Sequence, residues 1–167
     1  VGTSSNRDIT VYAKKGVTVK YYKNGGAWSS GSDPYTDTVE SGSYSGTATP
    51  SGRVSRTNYR LLGWSTSSTA TTANYGTNEA IGPLGSNLTL YAVWQELPYI
   101  TLDAGEGRFG TDRYAYFHID YGGYVYFDRY MPTRDGYTLI GWSATQGATS
   151  PTYGPTEYVG PLSGNNY

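Results

Sequence analysis

The sequence contains no cysteine and only one histidine, His118, among its 167 residues. Without cysteine the chain has no disulfide, no thiolate nucleophile and no cysteine ligand for zinc. A single imidazole excludes a two-histidine metal site, and no G-x-S-x-G motif accompanies it. These absences do not exclude a glycosidase, because its catalysis needs only two carboxylates. The composition therefore disfavours an enzyme and predicts no catalytic residue, no metal ligand and no cofactor.

Charged residues are also few, at 15% of the chain, and they sum to a formal net charge of −1. Such a chain has no overall field to attract nucleic acid or an anionic membrane. No apolar run approaches the roughly 18 residues that cross a bilayer. We therefore expect no nucleic-acid partner and no membrane insertion. The first residues, VGTSSN, lack the basic and apolar regions of a signal peptide, so any leader or anchor is expected outside this segment.

Aromatic residues and glycine are abundant, with 19 Tyr, 4 Trp and 23 Gly. Abundant rings with little charge argue against a disordered chain. Segments that alternate, or are rich in β-branched and aromatic residues, are separated by Gly, Ser, Asn and Pro clusters, and no window carries a helical apolar stripe. The pattern predicts a mainly β fold (α+β at most) with little or no helix. The predicted strands are 9–13, 17–22, 59–64, 88–94, 99–102, 114–120, 124–130 and 137–142.

The chain contains an internal repeat. Residues 56–87 align without a gap with 134–165, and fifteen of the 32 pairs are identical. Looser matches extend the repeating unit to about 80 residues, which is the size of a small domain. We therefore predict two tandem modules, 16–95 and 96–167, preceded by 1–15 as the terminal strand of an earlier repeat.

The two ends of the sequence are out of phase with this unit. Module 1 finishes with the strand NLTLYAVW at 87–94, whereas module 2 stops at 165–167, where that strand would begin. Meanwhile DITVYA at 8–13 resembles NLTLYA at 87–92, so 6–15 is interpreted as a last strand without its own module. A linker that happens to alternate is the alternative. The mismatch predicts strand exchange, in which 6–15 fills the vacancy in module 2 of a neighbouring copy.

The hexapeptides at 59–64 and 137–142 are predicted to be equivalent inner strands. Each is apolar on both faces, as in a central strand covered on both sides. Gly63 and Gly141 precede the tryptophans, where a missing Cβ allows a neighbour to approach closely. The predicted core of the repeat is Tyr59, Leu61, Trp64, Leu84, Leu90, Tyr137, Leu139, Trp142 and Leu162.

The segment 114–130 (YAYFHIDYGGYVYFDRY) is the richest in tyrosine. A three-residue loop at Gly122–Tyr124 predicts a hairpin with a row of rings on one face. Rigid tyrosine surfaces suit the binding of a carbohydrate or a host surface protein. Cross-strand ring pairing that only stabilises the sheet is the alternative. The candidate ligand-binding residues on this face are Tyr114, Tyr116, His118, Tyr126 and Tyr130.

Three motifs mark the start, middle and end of the repeating unit. The first is Asn24-Gly25-Gly26 in module 1, the second is PTRDGYTLIGW at 132–142 in module 2, and the third is the closing strand NLTLYAVW at 87–94 in module 1. Together they resemble the Listeria–Bacteroides repeat, known as the B-repeat of Listeria internalins. Module 1 departs from the pattern at Ser55–Asn58, and module 2 has a tyrosine-rich insert. The resemblance implies tandem β-grasp-like modules on secreted or wall-anchored bacterial surface proteins, with no catalytic residues.

We therefore expect a non-enzymatic repeat segment of an extracellular bacterial cell-surface protein that acts as a stalk or in adhesion. The alternative is a module that binds a host protein or a glycan through the tyrosine-rich face of 114–130.

Overall fold

The computed structural model describes residues 9–163. The chain divides into two compact units, unit 1 (Val1–Gln95) and unit 2 (Glu96–Tyr167). Nearly all regular structure in the described part is strand, beside one four-residue helix and one 3-10 turn. The predicted mainly β fold is confirmed.

Unit 1 is organised around a four-stranded sheet with the strand order β3-β1-β8-β6. Its first and last strands, β1 and β8, run parallel at the centre, and β3 pairs antiparallel with β1. This mixed arrangement is that of a β-grasp sheet. Two short ladders, β2 with β5 and β4 with β7, lie beside it. The elements are β1 (Gly16–Tyr22), β2 (Ala27–Trp28), β3 (Tyr35–Glu40), β4 (Ser45–Gly46), α1 (Ala48–Ser51), β5 (Val54–Ser55), β6 (Tyr59–Ser65), β7 (Ala80–Ile81) and β8 (Leu88–Glu96).

The core of unit 1 is built around Trp64, which is fully buried. Tyr21 packs edge-on against its ring at 4.9 Å between centroids, and Trp28 stacks on it at 6.1 Å. The indole Nε1 donates a hydrogen bond to Ser51 Oγ at 2.9 Å, so the buried polar atom is satisfied. Leu90 is also fully buried, and Leu84 nearly so. Of the other predicted core residues, Tyr59 and Leu61 are half-buried.

The prediction that β6 is a central strand is wrong, because β6 lies at the edge of the sheet. The chain after β6 folds back and covers part of this edge: Trp64 N–H donates to Tyr75 O at 2.8 Å, and Tyr75 N–H returns the bond at 3.0 Å. Gly63 makes the approach possible, since it has φ +141° and a Cβ there would lie 2.1 Å from Tyr75 O. The apolar residues on both faces of β6 therefore fit an edge strand whose end is covered by the chain that follows it.

Unit 2 has fewer paired strands in its described part. They form two antiparallel ladders, β9 with β10 and β11 with β12. The core cluster contains Ile100, Leu102, Val125, Phe127 and Leu162. The elements are β9 (Tyr99–Asp103), β10 (Tyr114–His118), β11 (Val125–Tyr126), a 3-10 turn (Phe127–Arg129) and β12 (Tyr158–Val159).

Three strand predictions are wrong. The segment 137–142 is not a strand, and Tyr137, predicted in the core, is 66% exposed. In unit 1 the equivalent β6 pairs with β8, and the described part of unit 2 has no strand equivalent to β8, so the backbone lacks its ladder partner. Leu139 and Trp142 are half-buried. Residues 9–13 form no strand either, and 6–8 lie outside the described residues. In 124–130 only Val125–Tyr126 is a strand.

The predicted hairpin at 114–130 is also wrong. β10 pairs with β9, and β11 pairs with β12, which lies more than thirty residues further along the chain. The turn at Gly122–Gly123 is instead held by Leu162, whose carbonyl accepts from Gly122 N–H at 2.7 Å and whose N–H donates to Gly123 O at 3.0 Å. Long-range pairing thus overrides the local turn pattern.

The two units nevertheless share a detailed set of contacts. Trp142 exchanges backbone hydrogen bonds with Tyr153 at 2.8 and 2.9 Å, as Trp64 does with Tyr75. Gly141 has φ +147°, and a Cβ there would lie 2.2 Å from Tyr153 O. Ladder β11–β12 repeats ladder β4–β7. Leu84 exchanges backbone hydrogen bonds with the turn at Gly42–Ser43, as Leu162 does with the turn at Gly122–Gly123. The sequence repeat is thus accompanied by a repeat of backbone geometry.

Candidate functional site

The outward face of ladder β9–β10 carries exposed rings. Along β10 the exposed residues alternate with half-buried ones, which places Tyr114, Tyr116 and His118 on one face. Tyr99 lies opposite His118 on β9, with ring centroids 5.9 Å apart, and the rings of Tyr114 and Tyr116 are 6.0 Å apart. We call these four residues the tyrosine face. Tyr116 is the most exposed of its three tyrosines, at 67%.

One end of the tyrosine face is held by an ion pair. Arg113 donates from Nε and Nη2 to the two carboxylate oxygens of Asp103 at 2.7 and 2.8 Å. The guanidinium also lies 5.1 Å from the ring centroid of Tyr114. The hydrogen bonds from Arg113 lower the pKa of Asp103 below its ordinary value. The two charged hydrogen bonds therefore favour the ionised form of Asp103 and hold the Arg113 guanidinium beside the Tyr114 ring.

The structure brings together three of the five predicted ligand-binding residues and separates the other two. Tyr130 stacks on Phe117 at 4.3 Å and packs against the core of unit 2. Tyr126 lies on the other ladder, 5.6 Å from Tyr158. Tyr114, Tyr116 and His118 share the tyrosine face with Tyr99, which the sequence analysis missed. The alternation of YITLD at 99–103 was the available signal, since it exposes Tyr99, Thr101 and Asp103 together.

The outward face of unit 1 differs from the tyrosine face: its ring pair is Tyr22 of β1 stacked on Tyr91 of β8, at 5.2 Å between centroids. Ladder β9–β10 of unit 2 corresponds to ladder β1–β3 of unit 1. The pair Tyr99–His118 stands where unit 1 has Thr18–Thr38, and the pair Thr101–Tyr116 stands where unit 1 has Lys20–Thr36. The same ladder is therefore built in unit 1 with small polar residues where unit 2 has rings. This fold does not need the rings at those positions.

A second surface of unit 2 is a groove of about 820 Å³ along the free edge of β9. On one side it is lined by Ile100 and Leu102, and on the other by Leu139, Ile140 and Trp142. β9 pairs only with β10 in the described residues, so its second edge faces this groove. In unit 1 the corresponding edge of β1 is occupied by β8, with Val19 opposite Leu88 and Tyr21 opposite Leu90. We call this feature the strand groove.

Neither surface contains a cluster of metal ligands in the part of the chain that the structure describes. Among residues 9–163 no group of three His, Asp or Glu side chains could hold a metal ion. His118 Nδ1 lies 3.3 Å from the carbonyl oxygen of Leu97, and its ring lies beside Tyr99. No helix in the described part is long and apolar enough to cross a membrane. The two surfaces offer ring stacking and strand pairing.

Comparison with known proteins finds a family model that matches part of unit 1. Residues 18–93 match the model of the Listeria-Bacteroides repeat domain. This part of the chain is therefore similar to that family, which suggests a repeat module of bacterial surface proteins and is not a known enzyme family. The match runs from within β1 to within β8, and so includes part or all of each strand of the four-stranded sheet. No curated protein and no solved structure shows significant similarity to the chain.

Proposed function

We propose that the chain is a non-enzymatic spacer or adhesion segment of an extracellular bacterial cell-surface protein, built from two tandem copies of one module. The observation that carries this proposal is the recurrence in unit 2 of the backbone contacts of unit 1, at Trp142–Tyr153 and at Leu162. The recurring contacts stabilise the fold of each unit. A module repeated in this way suits a spacer, whose length depends on the number of modules, more than a function that needs one reactive site.

The cellular location is tested on intact bacteria that produce the full-length protein. Brief protease treatment of whole cells should release peptides from 16–163, because the proposal places both units outside the envelope. A cytoplasmic protein recovered in the same sample provides the control for lysis. Peptides that appear only after the cells are broken would contradict an extracellular location.

A second candidate function is ligand binding by the tyrosine face. It is favoured by the comparison with unit 1, where three threonines, Thr18, Thr36 and Thr38, stand at ladder positions that carry rings in unit 2. Exposed rings that the fold does not require offer stacking area and hydroxyl groups at little cost in side-chain entropy. The chemistry fits the apolar face of a sugar ring or a protein surface.

The two candidates are separated by a glycan array and a host-cell binding assay on three chains. Tyr116→Thr installs the residue of unit 1 at the most exposed ring, and Tyr44→Thr removes a 58% exposed tyrosine from unit 1 as the matched control. A binding face predicts that Tyr116→Thr alone abolishes a signal that the wild type gives. Absence of any signal from the wild type supports the spacer. Equal loss in both variants contradicts a site on the tyrosine face.

A further inference from the structure

The outward face of ladder β11–β12 carries a second group of exposed rings in unit 2. Tyr126 and Tyr158 face each other across the ladder, with ring centroids 5.6 Å apart. Tyr124, just before β11, packs edge-on against Tyr158 at 5.5 Å. The three rings are between 43% and 56% exposed. We call them the tyrosine cluster, and they lie on a different ladder from the tyrosine face.

Unit 1 builds the corresponding ladder without two of these rings. Ladder β4–β7 has the pair Gly46–Ala80 at the positions of Tyr126–Tyr158. Gly46 and Ala80 are both exposed, in a unit whose sheet contains β8. The openness of this face is therefore a property of the ladder itself and does not depend on an unpaired strand edge. Adjacent rings that are exposed on such a face, and that the fold does not require, mark a binding surface.

A guanidinium group stands beside the tyrosine cluster. Arg129, in the 3-10 turn that follows β11, lies 5.3 Å from the ring centroid of Tyr126. It forms no ion pair within residues 9–163. Successive side chains of a 3-10 turn are about 120° apart, so the neighbouring Asp128 lies on a different side of the turn. The carboxylate of Glu157 accepts from Gly154 N–H at 2.9 Å.

Two other arginines in the described part of unit 2 lie over tyrosine rings, and each is paired with a carboxylate. Arg113 lies 5.1 Å from the ring centroid of Tyr114 and pairs with Asp103. Arg134 lies 3.6 Å from the ring centroid of Tyr137 and pairs with Glu106. Arg129 has the ring but no carboxylate among the described residues. An anionic group on a ligand would complete the same arrangement.

We propose that the tyrosine cluster and Arg129 form a binding site for a sugar that carries a carboxylate, such as a uronic or sialic acid residue of a glycan. The C–H-rich face of the sugar ring stacks on an exposed tyrosine, and the carboxylate accepts paired hydrogen bonds from the planar guanidinium. A neutral sugar would leave the cation without a partner, and an acidic peptide would leave the rings without an apolar face to stack on. A carboxylated sugar uses both.

The ligand class is tested on an array of uronic-acid and sialic-acid oligosaccharides, each beside its carboxyl-reduced counterpart. The reduced form keeps the sugar ring and loses the charge. The wild-type chain should bind at least one acidic oligosaccharide at least roughly tenfold more tightly than its reduced form. Equal binding of the two forms would overturn the proposal, as would the absence of binding to every acidic oligosaccharide.

Three substitutions of exposed residues locate the site. Tyr158→Ala installs the residue of unit 1 and should weaken binding of the acidic and the reduced forms alike, because ring stacking is lost. Arg129→Gln should weaken binding of the acidic form by at least roughly tenfold and leave that of the reduced form nearly unchanged. The matched control Arg53→Gln removes the same charge from unit 1, where the guanidinium lies 5.7 Å from the ring centroid of Tyr35, and should have little effect. Equal losses from the two arginine variants would overturn the site.

Tyr116→Thr separates this site from the tyrosine face. It should leave the binding of acidic oligosaccharides unchanged, because Tyr116 lies on ladder β9–β10. Loss of that binding in Tyr116→Thr, with retention in Tyr158→Ala, would assign it to the tyrosine face and overturn the proposal. Host-cell binding that survives enzymatic removal of glycans but is lost in Tyr158→Ala would assign the tyrosine cluster to a protein partner, and would overturn it as well.

Discussion

The two units share several backbone contacts but have different interiors. In unit 1 the buried Tyr21 hydroxyl lies 3.2 Å from Ser45 Oγ, which donates to Asp37 Oδ2 at 2.8 Å. At the equivalent ladder positions unit 2 has three apolar residues. Leu102 stands in place of Tyr21, Val125 in place of Ser45 and Phe117 in place of Asp37. Partial replacement would leave a buried polar group without its partner, at a cost of about 1–3 kcal/mol. All three hydrogen-bonded residues of unit 1 are therefore replaced together by apolar residues in unit 2.

The tryptophans differ in the same way. Trp64 donates to Ser51 Oγ at 2.9 Å, whereas the buried Nε1 of Trp142 has no hydrogen-bond partner in the described residues. Between Thr47 and Arg56 of unit 1 there are two more residues than between Phe127 and Arg134 of unit 2. Unit 2 thus has a three-residue 3-10 turn in place of the helix that carries Ser51. Its tryptophan is held by ring stacking, with Phe127 at 5.4 Å and Phe109 at 6.2 Å.

The largest expected effect separates the two tryptophans. Trp64→Ala should destabilise unit 1 by about 3–5 kcal/mol, because it removes a fully buried ring and opens a cavity. Trp142→Ala should cost unit 2 clearly less, since that ring is half-buried and its Nε1 is unpaired. Urea unfolding followed by circular dichroism, on the whole chain, measures both. Equal losses in the two variants would contradict the difference in burial.

A smaller effect tests the polar trio. Tyr21→Leu alone should cost about 1–3 kcal/mol, since it removes the hydroxyl that bonds to buried Ser45 and to the carbonyl of Gly46. The triple variant Tyr21→Leu/Asp37→Phe/Ser45→Val installs the residues of unit 2 and should recover part of the loss. Equilibrium unfolding of the single and triple variants gives the coupling energy. Additive losses, with no recovery in the triple variant, would show that the three positions act independently.

The smallest effects are opposite responses of the two units to pH. Burial raises the pKa of Tyr21 above its ordinary value of 10.0, so its contribution to stability is complete below pH 10.0 and is lost as the pH rises above it. Hydrogen bonds from Arg113 lower the pKa of Asp103 below 3.8, so its contribution is present above pH 3.8 and is lost as the pH falls below it.

Melting curves of two variants measure these responses. Relative to the wild type, Tyr21→Phe should remove part of the alkaline loss of stability, and Asp103→Asn should remove part of the acid loss. Each variant is the control for the other, because the two groups lie in different units. Identical pH profiles for the wild type and both variants would contradict the assignment.

Local pattern predicted the strands whose side chains alternate. β1, β6, β8, β9 and β10 were all expected from their residues, and Trp64 was placed in the core. β3 was missed because YTDTVE is polar and forms a strand through its pairing with β1. The tyrosine face was only half predicted, since the partner of β10 is β9 and this pairing brings in Tyr99.

The segment 137–142 shows most clearly why the rest could not be predicted. It shares Tyr, Leu, Gly and Trp with 59–64, yet only the earlier segment is a strand. Its tryptophan and glycine keep their local contacts with Tyr153, which depend on neighbouring sequence. The ladder depends on a strand that unit 1 supplies from β8, and such a requirement is invisible in the hexapeptide itself.

The central claim is that unit 2 repeats the module of unit 1, so that the edge of β9 left unpaired among the described residues corresponds to the edge of β1 that pairs with β8. The most direct test supplies the strand equivalent to β8, through a chain in which LTLYAVWQE, copied from residues 88–96, follows directly after Asn165, the residue that aligns with Asn87. Hydrogen exchange at the amides of 100–103 and 137–142 should then slow by at least roughly tenfold relative to the unextended chain. The matched control carries the same extension with Asp at the position copied from Leu90. Unchanged exchange in the extended chain, or equal protection with the Asp control, would contradict the claim.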